Sequence, residues 1–308
     1  MGRASRTKVE STRREKIAAQ RAAAKRSERR RRILLASGSV LVVVAVVLTF
    51  VIIKLNSKSS SSASGVSNGP TGAALTSVVD KVTSVPASTL NTVGPGTFTN
   101  KIQTITGNPA PLTSAGKPEM LFIGAEYCPY CGVARWAMIV ALSRFGTFSG
   151  LHTVHSSSTD VYPNTPSFSF YKSTYTSKYL TFTPVETTTN IPDSSSPAGY
   201  TLLQTPTAAQ DAIQNKYDVA PYTTETGSIP FIDFGNKYLS IGSPFVPSVL
   251  DGLSWATIAN DLHNPNSAAA KAVDGTANYF TAAICKMTGN QPASACTSTI
   301  QSLETSLK

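Results

Sequence analysis

Reactive side chains are scarce in this chain, which has only 4 cysteines and 3 histidines in 308 residues. Four cysteines are too few for a disulfide-rich scaffold, so each of them has to be interpreted individually. The sequence also lacks a Ser-His-Asp pattern, a glycine-rich phosphate loop and paired catalytic carboxylates. The chain therefore lacks the usual signatures of serine hydrolases and of nucleotide-binding enzymes.

An excess of positive charge is present only at the N-terminus. Residues 1–32 hold 13 of the 27 Lys and Arg residues and 3 of the 17 Asp and Glu residues, so 14 charges of each sign remain for the rest. The net charge of +10 therefore indicates a basic tail on a neutral body. The tail has no aromatic side chains that could stack on bases, and we predict no nucleic-acid partner.

Residues 33–53 form a long apolar run without a charged residue. As a helix of about 31 Å the run matches the roughly 30 Å hydrocarbon core of a bilayer. A cleaved signal peptide has a shorter apolar region, so we favour a retained transmembrane helix over a signal peptide or a buried helix. Arginines precede the run, which places the N-terminus in the cytoplasm and the C-terminal part outside. Binding of the tail to anionic lipid is an alternative to a pure topology signal.

The sequence predicts one folded domain that follows a membrane anchor and a linker. Its parts are a basic cytoplasmic tail (1–32), a transmembrane helix (33–53), a Ser/Gly-rich linker (54–74) and an extracytoplasmic domain (75–308) with an insertion at about 151–215 and a C-terminal helical region at 264–308.

Cys128 and Cys131 are the residues best suited to carry chemistry. They lie between an apolar run typical of a buried strand (120–125) and an apolar helical stretch (132–145) that we expect Gly146 to cap. At a helix N-terminus this spacing brings both sulfurs together, and the helix dipole favours a thiolate at Cys128. That thiolate can attack a disulfide, and Cys131 can resolve the mixed disulfide.

Other interpretations of this pair are less favourable. A zinc site would need a second ligand pair, but His152 and His155 point to opposite faces of a predicted strand, so we predict no metal and no cofactor. Haem attachment would need a histidine where Gly132 stands. An inert structural disulfide remains the alternative, because the compartment is oxidising.

Residues 97–263 contain a recognisable order of predicted elements. A strand is followed by Cys-x-x-Cys and a helix, and Ile229-Pro230 later precedes a strand–turn–strand. This order resembles the thioredoxin superfamily. The resemblance implies an α/β fold with a thioredoxin-like central sheet flanked by helices. It also implies a cis bond at Pro230, opposite the dithiol, and substrate contacts through Ile229, Pro129 and Tyr130. The alternative for Pro230 is an ordinary strand-initiating proline.

Several further motifs indicate a particular family with this resemblance. They are GAEYCPYC (124–131), Arg135-Trp136, RFG (144–146), SSSTDVYP (156–163), and Cys285 with Gln291-Pro292 and Cys296. The set is similar to an uncharacterised family of membrane-anchored thioredoxin-like proteins of actinobacteria and archaea, a domain of unknown function.

The chain also departs from thioredoxins. Where they often carry a buried acid, six residues before the first cysteine, this chain has Phe122. Glu126 is closer to the cysteines, but we expect it to face the surface. We expect Trp136 in the core and Arg135 in solvent, with a thiolate-stabilising role of Arg135 as the alternative.

Cys285 and Cys296 flank a predicted turn between two helices. A structural disulfide there would close a loop of about 12 residues and stabilise the fold by up to roughly 3 kcal/mol. A second redox pair is the alternative.

The sequence therefore predicts a membrane-anchored, extracytoplasmic thiol–disulfide oxidoreductase with Cys128, Cys131 and Pro230 as catalytic residues. Its expected partners are the cell membrane, protein thiols or disulfides of the cell envelope, and an unidentified redox partner. The alternative is a cell-envelope binding module in which Cys128–Cys131 is a static disulfide.

Overall fold

The computed structural model of this chain describes residues 69–99 and 102–307. The predicted tail, the predicted transmembrane helix and most of the linker lie outside these residues. Within the described ranges, no helix is both long enough and apolar enough to cross a membrane.

Seven α-helices and one 3₁₀ turn are found in the described ranges. The helices are α1 (Gly72–Thr83), α2 (Ala87–Val93), α3 (Pro129–Leu142), α4 (Ala208–Tyr217), α5 (Trp255–Asp261), α6 (Ala268–Thr288) and α7 (Ser298–Glu304), and the 3₁₀ turn is Pro247–Leu250.

Twelve strands accompany them in this part of the chain. They are β1 (Gln103–Thr104), β2 (Thr113–Ser114), β3 (Lys117–Gly124), β4 (Gly146–Ser149), β5 (His152–His155), β6 (Pro166–Ser169), β7 (Thr174–Ser177), β8 (Thr181–Glu186), β9 (Thr188–Pro192), β10 (Tyr200–Leu202), β11 (Phe231–Phe234) and β12 (Tyr238–Ile241).

A six-stranded mixed sheet organises these elements around β3. The strands β1, β12, β11 and β3 follow in spatial order, β8 lies on the other side of β3, and β2 pairs with the first residues of β3. Only the β3–β8 pair is parallel. The segment 151–215, predicted as an insertion, therefore supplies one strand of the central sheet.

The two faces of the sheet are covered by different helices, because side chains alternate along β3. Met120 and Phe122 belong to the large core that includes α3 and α6. Leu121 and Ile123 point to the opposite face, where α4 contributes Tyr217. Helices on both faces of a mixed sheet confirm the predicted α/β class.

The helix that follows Cys131 is shorter than predicted. The helix after Cys131 ends at Leu142, so the predicted cap at Gly146 is wrong. Gly146 instead begins β4, where a Cβ atom would meet the carbonyl oxygen of Thr176 at 2.2 Å.

Candidate functional site

Cys128 is the N-cap of α3, and Cys131 lies in the first turn of that helix. The Cys128 sulfur accepts a hydrogen bond from the backbone N–H of Cys131 at 3.2 Å. Pro129 is the first helical residue, where its missing N–H costs no hydrogen bond. The helix dipole therefore acts on the sulfur of Cys128, as the spacing predicts.

The two thiols differ in access and in ionisation. Both are free, but Cys131 is fully buried, whereas Cys128 keeps 4% of its surface exposed. A hydrogen bond between the two side chains lowers the pKa of Cys128, and burial raises the pKa of Cys131. The first thiol is therefore the one suited to attack, and burial favours the protonated form of the second.

The sheet brings Ile229 and Pro230 to the dithiol across 101 residues of sequence. Strand β11 is antiparallel to β3, so the start of β11 lies beside the end of β3, where the turn to Cys128 begins. The carbonyl oxygen of Ile229 is 4.0 Å from Cys128 Sγ. The Ile229–Pro230 bond is cis, as expected, and Pro230 is buried.

Arg135 is buried, with an exposed fraction of 0%, so the prediction that it faces solvent is wrong. Its Nε and Nη2 donate to the two carboxylate oxygens of Glu186, at 2.8 and 2.6 Å. Nearly every residue of α3 is buried, which leaves this arginine no path to water. Burial by itself lowers the pKa of Arg135, but Glu186 raises it above its ordinary value, so the guanidinium stays charged.

Arg135 acts on both thiols. Its charge lowers the pKa of Cys128 and opposes the rise at Cys131. It also donates to the carbonyl oxygen of Ala125 at 2.6 Å, and that oxygen accepts from the backbone N–H of Cys128 at 3.3 Å. The guanidinium therefore holds the turn before Cys128 and favours its thiolate, which agrees with the alternative considered for this residue.

Glu126 is also buried, with 7% of its surface exposed, so the prediction that it faces the surface is wrong. Its backbone N–H donates to the carbonyl of Thr188 at 3.0 Å, and its carboxyl group is hydrogen-bonded to Ser169. Burial raises the pKa of its carboxyl group. Phe122 is in the core, and its ring lies 5.7 Å from the guanidinium carbon of Arg135. A cation–π contact thus occupies the position where thioredoxins often carry an acid.

Two tyrosine pairs surround the cysteines. The rings of Tyr127 and Tyr200 are stacked with their centroids 4.2 Å apart, and Tyr130 meets Tyr162 edge to face at 5.9 Å. Burial raises the pKa of Tyr127 to about 12. Tyr130 is partly exposed, whereas Pro129, the other predicted substrate contact on α3, is buried.

Cys285 and Cys296 are joined by a disulfide that links the end of α6 to the segment before α7. Both residues are buried. No group of three or more His, Cys, Asp or Glu side chains suited to a metal ion occurs among residues 69–99 and 102–307.

Comparison with known protein families gives a match that covers the site. The family model described as a domain of unknown function, DUF929, covers residues 103–286, which is more than half of the chain and includes Cys128, Cys131 and Pro230. No curated protein and no solved structure matches the chain. The chain therefore belongs to the DUF929 family, and the expected membership of a domain-of-unknown-function family is confirmed.

Proposed function

We propose that this chain is a thiol–disulfide oxidoreductase in which Cys128 attacks and Cys131 resolves. The placement of the two free cysteines at the start of α3 carries the proposal: both are buried, but Cys128 keeps 4% of its surface exposed and Cys131 keeps none. The opposite shifts of the two pKa values agree with these roles.

We also propose that the sheet is thioredoxin-like. The elements β3, α3, β8, α4, β11 and β12 follow as strand, helix, parallel strand, helix and two antiparallel strands. The strand, the helix after Cys-x-x-Cys and the two strands after Ile229-Pro230 agree with the expected resemblance, and the segment predicted as an insertion adds the parallel strand β8. The carbonyl of Ile229 beside Cys128 adds support, since substrate contact through this residue was expected.

The proposed exchange moves two electrons and two protons. The Cys128 thiolate attacks one sulfur of a substrate disulfide, a Cys128–substrate disulfide forms, and the other substrate sulfur leaves as a thiolate that takes up a proton. Cys131 then loses its proton and attacks Cys128 Sγ, which releases the second substrate thiolate. The substrate ends as a dithiol and the protein as a Cys128–Cys131 disulfide, and the reverse sequence oxidises a substrate dithiol.

We place this site outside the cytoplasmic membrane, anchored by residues 33–53. The basic residues that precede the apolar run support this orientation. Disulfide exchange with envelope proteins fits such an oxidising compartment.

Trapping with a disulfide-containing peptide tests the function. Replacing Cys131 by Ala should leave a stable mixed disulfide on Cys128, whereas the Cys128→Ala control should form none. The reduction potential of the Cys128–Cys131 pair should lie between about −120 and −270 mV, as in exchange enzymes. A potential below about −300 mV without any trapped peptide would mark a static disulfide and favour the binding-module alternative.

A further inference from the structure

The surface around Cys128 is built from two chain segments that are distant in sequence. The first is the loop 157–164, which carries Tyr162, and the second is the β9–β10 hairpin, residues 188–202, which carries Tyr200. We name these two segments the docking surface. Its role rests on the proposed function, because it concerns the substrate that reaches Cys128.

Both segments are fixed to the turn that precedes Cys128. The backbone N–H of Ser157 donates to the carbonyl oxygen of Tyr127 at 2.8 Å, and the backbone N–H of Glu126 donates to the carbonyl oxygen of Thr188 at 3.0 Å. The two tyrosine contacts add to these bonds, one on each segment. The docking surface is therefore held next to the attacking sulfur.

Exposed apolar side chains are concentrated on this surface. In the described part of the chain, the large hydrophobic residues that remain exposed are Val161, Ile191, Leu202, Val219 and Val246. Val161, at 67% exposure, is adjacent to Tyr162, and Leu202, at 63%, belongs to the same strand as Tyr200. Ile191 lies on β9 of the same hairpin. Three of these five side chains thus belong to the docking surface, and grouped apolar exposure marks an interaction site.

The charge of the docking surface limits what can bind. Its charged residues are Asp160 and Asp193, and neither segment contains a lysine or an arginine. The guanidinium of Arg135 is buried and paired with Glu186, so it offers no charge to a ligand. An anionic disulfide such as oxidised glutathione, or an anionic lipid surface, therefore finds no cation on these segments.

We infer that the docking surface binds a polypeptide segment whose disulfide-bonded cysteine has apolar neighbours and which carries no net negative charge. Apolar substrate side chains pack on Val161, Leu202 and the tyrosine rings. The carboxylates of Asp160 and Asp193 disfavour acidic segments.

Single-turnover reduction by the full-length, reduced chain in detergent micelles tests this inference. Four oxidised probes are compared: a disulfide peptide with Phe and Leu neighbours and one Lys, the same peptide with Ser neighbours, the same peptide with two Asp residues, and glutathione disulfide. We expect the apolar peptide to react about tenfold faster than each of the other three. Equal rates, or preference for the acidic peptide or for glutathione disulfide, would overturn the inference.

A double variant places the effect on the docking surface. In Val161→Ser with Leu202→Ser, the ratio of the apolar-peptide rate to the Ser-peptide rate should fall about tenfold. Val246→Ser is the matched control, because Val246 is 50% exposed and lies outside both segments. An unchanged ratio in the double variant would refute the assignment.

Binding without chemistry separates the two proposals. The apolar peptide with serines in place of its cysteines should bind the full-length chain more tightly than its acidic counterpart, as measured by fluorescence anisotropy. Reduction of glutathione disulfide without any peptide preference would support the proposed function and contradict the docking surface. The opposite outcome is a chain that reduces no probe but binds the apolar peptide, with binding abolished by Val161→Ser with Leu202→Ser. That outcome would contradict the exchange activity and support the docking surface.

Discussion

Replacing Glu186 by Gln removes one charge from the buried network behind the dithiol. The carboxylate of Glu186 accepts two hydrogen bonds from Arg135 and a third from the backbone N–H of Phe170, at 3.1 Å. Both charged side chains are fully buried. Glutamine has the same shape but no charge, so the variant removes the directly bonded counter-charge of a buried cation. Breaking a buried ion pair in this way costs about 3–5 kcal/mol, and we expect the free energy of unfolding in urea to fall by that amount.

The same change should act on the thiols. The charge of Arg135 lowers the pKa of Cys128. Without the neutralising carboxylate that charge acts more strongly, so the pKa of Cys128 should fall below that of the parent protein. The pH dependence of the rate at which iodoacetamide alkylates Cys128 measures this shift. The variant should therefore be less stable and yet more reactive at low pH.

An apolar replacement of the whole pair is the matched control. Arg135→Met with Glu186→Met removes both charges, so it should recover most of the stability that Glu186→Gln loses. The pKa of Cys128 should rise in this double variant, because the cation has gone. The reasoning is refuted if Glu186→Gln loses less than about 1 kcal/mol, as an exposed ion pair would, or if it raises the pKa of Cys128.

Three further changes have defined outcomes. Asp274→Asn should flatten the pH dependence of stability between about pH 4 and 8. Burial raises the pKa of Asp274 from 3.8 to about 8, so the contribution of this group to stability is full below the lower value and is lost as the pH rises to the upper one. Urea unfolding at pH 5 and pH 8 checks this, and equal losses in both proteins would contradict it. Replacing Cys285 and Cys296 by Ala should lower the free energy of unfolding by about 3 kcal/mol. The reduction potential of the Cys128–Cys131 pair should stay unchanged, and a shifted potential would instead indicate electron relay between the two pairs. Gly146→Ala should destabilise the fold by about 1–3 kcal/mol, because its Cβ would meet a carbonyl oxygen at 2.2 Å, and an unchanged urea midpoint would count against that contact.

Features set by local spacing could be predicted from the sequence. Two residues between Cys128 and Cys131, with Pro129 after the first, place both sulfurs in one helical turn wherever the helix begins. The strand at residues 120–125 and the Ile229-Pro230 step also followed from short patterns, and the sheet then brought them together.

Features that depend on distant partners could not be predicted. The burial of Arg135 depends on Glu186, which is 51 residues away on a strand inside a polar segment. One signal was present, since Arg135 is the single charged residue of the otherwise apolar α3, and a lone charge on such a helix indicates a buried partner. Glu126 gave no such signal, because its contacts are with distant residues: its backbone N–H donates to Thr188, and its side chain is hydrogen-bonded to Ser169.

The position of the fully buried Cys131 next to Cys128 has a consequence for oxidative damage. A peroxide that reaches the site meets Cys128 first and converts its thiolate to a sulfenic acid. Cys131 is one helical turn away, so in the proposed exchange site its thiol can condense with that group, which forms the Cys128–Cys131 disulfide and releases water. The nearness of the second thiol would thereby divert a sulfenic acid at Cys128 to a disulfide, which thiol reductants can reverse, instead of to an irreversible sulfinic acid.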